Sequence, residues 1–174
     1  MMLFAGAVLV LGIATFSASA QPDSPVPCEG LHLKVAGTGS AQCYSKLVQL
    51  ENAKFLIEAI QVPVFDGILA VERERSASNR SIAQEYTLHG AADELGKFPR
   101  TEDWGPERRI EGYSVATFRG IAETWEGQCI SLVRRAYALA GGYRDQVMGV
   151  YCTRSSAPVD DTTARDVLAA ITVE

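Results

Sequence analysis

The chain has 174 residues, 21% charged and 47% apolar, with seven prolines and a formal charge of −5. That balance excludes a disordered, collagen-like or multi-span membrane protein. The acidic excess argues against a dedicated nucleic-acid binder, which needs a basic face for phosphates.

No charged side chain precedes Asp23. Residues 3–16 (LFAGAVLVLGIATF) form an apolar run of signal-peptide length, short of the roughly 20 residues that span a bilayer comfortably. Ser17-Ala18-Ser19-Ala20 adds the small-x-small pattern of a cleavage site, and Pro22 discourages helix continuation. Met1-Met2 brings no Lys or Arg, which leaves an uncleaved N-terminal anchor as the alternative. Cys28 follows Pro25-Val26-Pro27, not the small residues of a lipobox. The reading is a signal peptide over 1–20, an extended proline-rich tether over 21–30 and a single disulfide-stabilised domain over 31–174, in an exported protein, periplasmic or secreted. The membrane is met only through the leader before cleavage.

Four cysteines follow the leader, Cys28, Cys43, Cys129 and Cys152. An even count in an exported chain reads as disulfides, with three possible connectivities. Sequence proximity favours Cys28–Cys43 and Cys129–Cys152, closures worth about 3 and 3.5 kcal/mol on loop entropy. No C-x₂₋₄-C pair occurs, so the spacing suits neither a zinc site nor a thiol oxidoreductase.

Leu31, Leu33 and Val35 alternate with His32 and Lys34 as in a half-buried strand. Ala36-Gly37-Thr38-Gly39-Ser40 closes it as a loop; its G-x-G lacks the third glycine and the Lys-Ser/Thr of a phosphate cradle. Across 44–53, Val48, Asn52 and Phe55 fall loosely on one helical face, which predicts a short helix. Residues 55–64 alternate, Phe65-Asp66-Gly67-Ile68 follows, and an apolar run at 68–71 fades into Glu72-Arg73-Glu74-Arg75. Asp66-Gly67 between apolar segments predicts a hairpin, with Val64 opposite Leu69, Val62 opposite Val71 and Glu58 opposite Arg75. Pro63 must then sit where its missing N–H points away from its partner, or at a bulge.

Residues 76–80 read as a polar loop. Ile82, Tyr86 and Leu88 share one face of a predicted strand over 82–89, a helix being the alternative. The charged, Gly/Pro-punctuated stretch 90–109 around Trp104 reads as a long loop with a helical turn, and 111–119 as another strand. Residues 128–137 fit a helix or a strand. The strand is preferred, because pairing with 147–152 across Gly141-Gly142, through a four-residue loop at 139–142, puts Cys129 opposite Cys152 and Val133 opposite Met148. Asp160-Asp161-Thr162 caps a C-terminal helix whose apolar stripe is Ala164, Val167, Leu168 and Ile171. The expected architecture is α+β: a mostly antiparallel meander, with hairpins at Asp66-Gly67 and Gly141-Gly142, and a C-terminal helix packed on one face.

Only two histidines are present. His89 lies near Asp93 and Glu94, either of which could orient its ring for proton transfer. His32 falls on the polar face of its strand. No G-x-S-x-G, H-E-x-x-H or spare cysteine accompanies them. Arg108-Arg109 and Arg134-Arg135 could clamp an anion only if they converge; otherwise they are solvated or serve Glu107, Glu111 and Asp145. Trp104 is the aromatic candidate for a partner contact, or a plug beneath its own loop. Asn79-Arg80-Ser81 is a glycosylation sequon that matters only in a host that uses it.

The leading expectation is a small, exported, non-catalytic binding protein touching its protein or small-molecule partner through Trp104, Arg108 and Arg109. It needs neither cofactor nor metal. Two alternatives stand: a secreted hydrolase using His89 with Asp93 or Glu94, and an envelope structural protein held by its leader.

Overall fold

Twelve residues of uninterrupted strand run through the best alternation in the sequence and fold back at once on their successor. A computed structural model describes residues 25–174 other than 38, 52, 79–81, 83–84 and 140–141, and the backbone alone at 50 and 137–139. The leader, Gly141 and the sequon lie outside the described residues. Strand β1 is Leu33–Val35, β2 Gln42–Leu50, β3 Ala53–Val64 and β4 Gly67–Ser76. Helix α1, Leu88–Ala91, runs into a π-helical turn at Ala92–Gly96. Then come β5 (Arg100–Glu102), β6 (Arg108–Ile110), β7 (Tyr113–Ala122), β8 (Trp125–Leu139) and β9 (Gly142–Thr153). Helix α2 (Asp161–Ala169) and β10 (Ile171–Val173) complete the chain.

Two antiparallel meanders make one sheet in the order β2-β3-β4-β9-β8-β7, with β5 and β6 sharing the outer edge of β7. The seam is the β4–β9 pairing, which sets Val71 opposite Gly149 and Arg73 opposite Val147. A separate two-stranded ribbon joins β1 to β10. Strand dominates and the helices are short, so α+β describes the molecule only loosely.

Both faces of the sheet are covered. On the first, the ribbon and α2 bring Leu33, Ala164, Val167 and Leu168 onto Val62, Leu69, Val115, Leu132 and Tyr151. On the second, α1 and its π turn bring Ala91, Ala92 and Leu95 onto Phe118, Cys129, Val133, Met148 and Val150. Within β9, residues 147–151 are buried on both sides and read accordingly as a continuous apolar run. Asp160 caps α2 as its sequence indicates, accepting from the Thr163 N–H at 2.8 Å.

The β8–β9 register is the expected one: Cys129 faces Cys152 and Val133 faces Met148. Pairing continues to Leu139 and Gly142, so the connection is two residues long, not four. The cysteines pair as Cys28–Cys43 and Cys129–Cys152, with Cα atoms 5.3 and 4.1 Å apart. Of the expected tether, residues 25–30 are tied to the sheet. Val26 donates to the Cys43 carbonyl at 2.9 Å, and Cys28–Gly30 forms a 3₁₀ turn.

Four further expectations are corrected. The β3–β4 hairpin turns at Phe65-Asp66, not Asp66-Gly67, so Val64 faces Gly67, Val62 faces Leu69 and Glu58 faces Arg73. Positive φ falls on Phe65 (52°), not on Gly67. Asp66 is fixed in the turn by hydrogen bonds from the Tyr151 hydroxyl (2.7 Å) and Thr153 Oγ1 (2.8 Å). Gly67 serves close approach: a Cβ there would collide with the Cys152 carbonyl and the Tyr151 ring. The register moves by two residues, which preserves every side chain's face. Pro63, one pair in from the turn and past the end of β2, needs no N–H, as expected.

The second correction is that 44–53 holds strand β2 instead of a helix. It is an edge strand with Leu47 58% exposed, so burial imposes little alternation, and pairing with β3 decides its conformation. The third is that the described residues of 82–89 form no strand: Ile82 makes one bridge to Tyr143, and Thr87 starts α1 by accepting from the Gly90 N–H at 2.9 Å. The fourth is that 90–109 is largely regular structure. Its far half follows β7 through β5, β6 and a Gly105 N–H bond to the Thr117 carbonyl. Glu111-Gly112 closes β6–β7 with φ of 49° and 81°, a type I′ signature.

Candidate functional site

Residues 86–96 cross the second face as a strap, and the residues singled out by sequence gather around it. Tyr86 anchors its start. The buried hydroxyl donates to Glu72 Oε1 at 2.8 Å, the N–H donates to Gln146 Oε1 at 3.1 Å, and the carbonyl accepts from the Arg135 guanidinium. Ser131 Oγ adds a bond to the Leu88 carbonyl at 2.6 Å. Lys97, at φ 50°, ends the π turn.

Beneath the strap lie Glu72 and Glu74 of β4, with Glu94 contributed from above. Glu72 is only 8% exposed. Burial pushes its carboxyl up to about 7, against the hydrogen bond from Tyr86 and aided by the charges of Glu94 and Glu74. Burial also raises the Glu74 and Glu94 carboxyls. The Tyr86 hydroxyl is pushed far up by burial and by the same three carboxylates. Near neutral pH, Glu72 can therefore hold or release a proton.

The expected acid–base trio is divided. His89 is exposed and stacks on Trp104, ring centroids 3.9 Å apart, and it has no hydrogen bond or ion pair with Asp93 or Glu94. Asp93 faces solvent, while Glu94 is half-buried and its charge acts on Glu72 and Glu74. Trp104, half-buried, lies flat on Phe118 at 4.6 Å and donates from Nε1 to Thr101 Oγ1 at 3.2 Å. It thus covers part of the core and presents an edge beside His89.

The paired arginines do not converge, because neighbours along a strand point to opposite faces. Arg108 forms an ion pair with Asp161 at the start of α2, whereas Arg109 is exposed and donates to the Gly112 carbonyl at 3.4 Å. Arg134 lies over the Tyr113 ring at 5.1 Å; Arg135 serves the Tyr86 carbonyl and Glu85.

Sequence reasoning missed a second charged group, on the first face. Arg73, 3% exposed, grips Asp145 with Nε–Oδ1 at 3.1 Å and Nη2–Oδ2 at 2.7 Å, and donates to the Glu174 main-chain oxygen at 3.0 Å. Glu58, 2% exposed, accepts from the His32 and Leu33 N–H groups at 2.8 and 3.1 Å and lies 3.8 Å from Arg73. His32 Nδ1 approaches the same carboxylate at 3.2 Å, which gives that histidine a structural partner. This network clamps the β1–β10 ribbon to the sheet.

No group of three or more His, Cys, Asp or Glu among the described residues is placed to hold a metal ion. No described helix is long and apolar enough to cross a membrane. Two disulfides fit an oxidising compartment. The chain matches no protein-family model, no curated protein and no solved structure.

Proposed function

We propose that the protein is an exported binding protein without chemistry of its own, engaging a partner in the envelope or outside the cell through the ridge formed by His89 and Trp104. The supporting observation is the stack itself. His89 stacks on Trp104, which itself lies on Phe118, and such partly exposed aromatics supply contact area at little entropic cost. The leader over 1–20 and the paired cysteines support the compartment. Arg109, exposed on the neighbouring edge, belongs to the same contact; Arg108 is committed to Asp161.

The test is photo-crosslinking of purified protein in native envelope extract, followed by affinity measurement on the captured partner. Trp104→Ala should weaken binding at least tenfold and His89→Ala less, with Asp93→Asn unchanged. A turnover activity toward ester, peptide or glycoside substrates that disappears in His89→Ala would replace this reading with the hydrolase. A native N-terminus at Met1 rather than Gln21, read by mass spectrometry, would replace export with anchoring.

A further inference from the structure

Three carboxyl groups bear on the start of the strap. Glu72 and Glu74 stand two residues apart on the second face of β4, Glu72 accepts from the Tyr86 hydroxyl at 2.8 Å, and the charge of Glu94, on the π turn, acts on both glutamates and on Tyr86. The residues paired with Glu72 and Glu74 on the flanking strands carry no charge. From β3, Ala59 and Ile57 lie opposite Glu72 and Glu74. From β9 come Met148 and Gln146, with Arg144 exposed two residues further along. From β8 come Val133 and Arg135, and that guanidinium is occupied by the Tyr86 carbonyl, by Glu85 at 3.8 Å and by the Tyr143 ring at 5.6 Å. On the strap, Asp93 adds a further negative charge and His89 is turned to Trp104; Lys97 follows, its ammonium disfavoured by burial. Closing the strap therefore encloses like charges unless one of them is neutralised, and a bound proton is the simplest neutraliser.

We propose that residues 86–96 form a pH-sensitive latch, closed on the sheet while the Glu72–Glu74–Glu94 group holds a proton and released as that proton leaves with rising pH. The sign follows from linkage. A carboxyl near 7 when closed and near 4.5 when open holds its proton more tightly in the closed form. Closure is then independent of pH below about 4.5, weakens between 4.5 and 7, and carries the full penalty above 7. For Glu72 alone the closed-to-open ratio falls about 300-fold across that window. The latch stands whether or not the aromatic ridge binds a partner, because its readout is the strap itself.

Amide hydrogen exchange of the full chain, resolved by residue between pH 4.5 and 8.5 and corrected for intrinsic rates, tests it. Protection at 88–96 should fall by about two orders of magnitude or more with rising pH, while amides of β8 and β9 keep theirs. Glu72→Gln, which still offers Tyr86 an acceptor, should make strap protection flat with pH. Glu94→Gln, at a half-buried position that tolerates the change, should move the fall to lower pH, because one of the charges holding the Glu72 proton is gone. If Glu72→Gln does not fold, the native chain and Glu94→Gln decide. Flat protection in the native chain, or an unmoved midpoint in Glu94→Gln, overturns the latch.

Discussion

Replacing Arg73 with Met tests whether the first-face network is a clamp or a bystander. The guanidinium is 3% exposed and closes two bonds to Asp145 and one to the Glu174 main chain, beside Glu58 at 3.8 Å. Met keeps most of the volume but leaves two carboxylates, 2% and 7% exposed, without their cation. Breaking a buried pair from one side costs about 3–5 kcal/mol, most of it the penalty of the stranded charge. At a urea slope of about 2 kcal/mol/M, the midpoint should fall by about 2 M. The double change Arg73→Met with Asp145→Asn should recover part of the loss, since it removes one stranded charge. The two substitutions should be non-additive by about 0.5–3 kcal/mol, as contacting residues are. Urea unfolding followed by far-UV circular dichroism measures all three. A loss below about 1 kcal/mol for Arg73→Met, the range of exposed pairs, or strict additivity with Asp145→Asn, would refute the clamp.

Further outcomes follow from the hairpin tip and the disulfides. Gly67→Ala should cost about 1–3 kcal/mol, because the new Cβ meets the Cys152 carbonyl and Tyr151 ring across the β4–β9 seam; a neutral result in thermal unfolding would contradict that packing. Asp66 is held below the ordinary carboxylate value of 3.8 by hydrogen bonds first from Tyr151 and then from Thr153. Its contribution is therefore present above that pH and lost as the pH falls below it, so Asp66→Asn should reduce stability at neutral pH and flatten the acid limb of a pH–stability curve. Removing the Cys28–Cys43 pair as a double Ser variant should cost about 3 kcal/mol and loosen the chain around residues 25–30, read as faster proteolysis there.

The sequence carried the local half of the fold. Cys129, Cys152 and the alternation beside them fix one register, and no other register meets the geometry of a disulfide. Asp160 and the Ala164–Val167–Leu168 stripe mark α2 for the same local reason. The β4–β9 seam is different: no turn motif or cysteine pair links residues 67–75 to 145–153 in the sequence, and apolar strands pair promiscuously on paper. The strap was misread because Ile82, Tyr86 and Leu88 alternate through a segment where Thr87 begins a helix. Trp104 and His89 were both singled out, yet their stacking depends on β5 lying along β7, a contact no local pattern encodes. Glu94 was noticed for its nearness to His89, whereas in the tertiary structure its charge acts on Glu72 and Glu74.

Glu72-Arg73-Glu74-Arg75 explains why the charged sites were harder to see than the strands. Four alternating charges at the end of an apolar run look like a strand emerging into water. β4 is instead flanked by β3 and β9 and covered on both faces, so alternation sends Arg73 to one buried face and Glu72 with Glu74 to the other. On the first face the cation meets Asp145 and Glu58, and the charges nearly balance. On the second the carboxyls meet a tyrosine hydroxyl, a glutamine and another glutamate, and the balance must come from protons. The same four residues thus supply a fixed ionic clamp above the sheet and a titratable one below it. Exchanging Glu72 for a neutral residue should leave the first intact while abolishing the second.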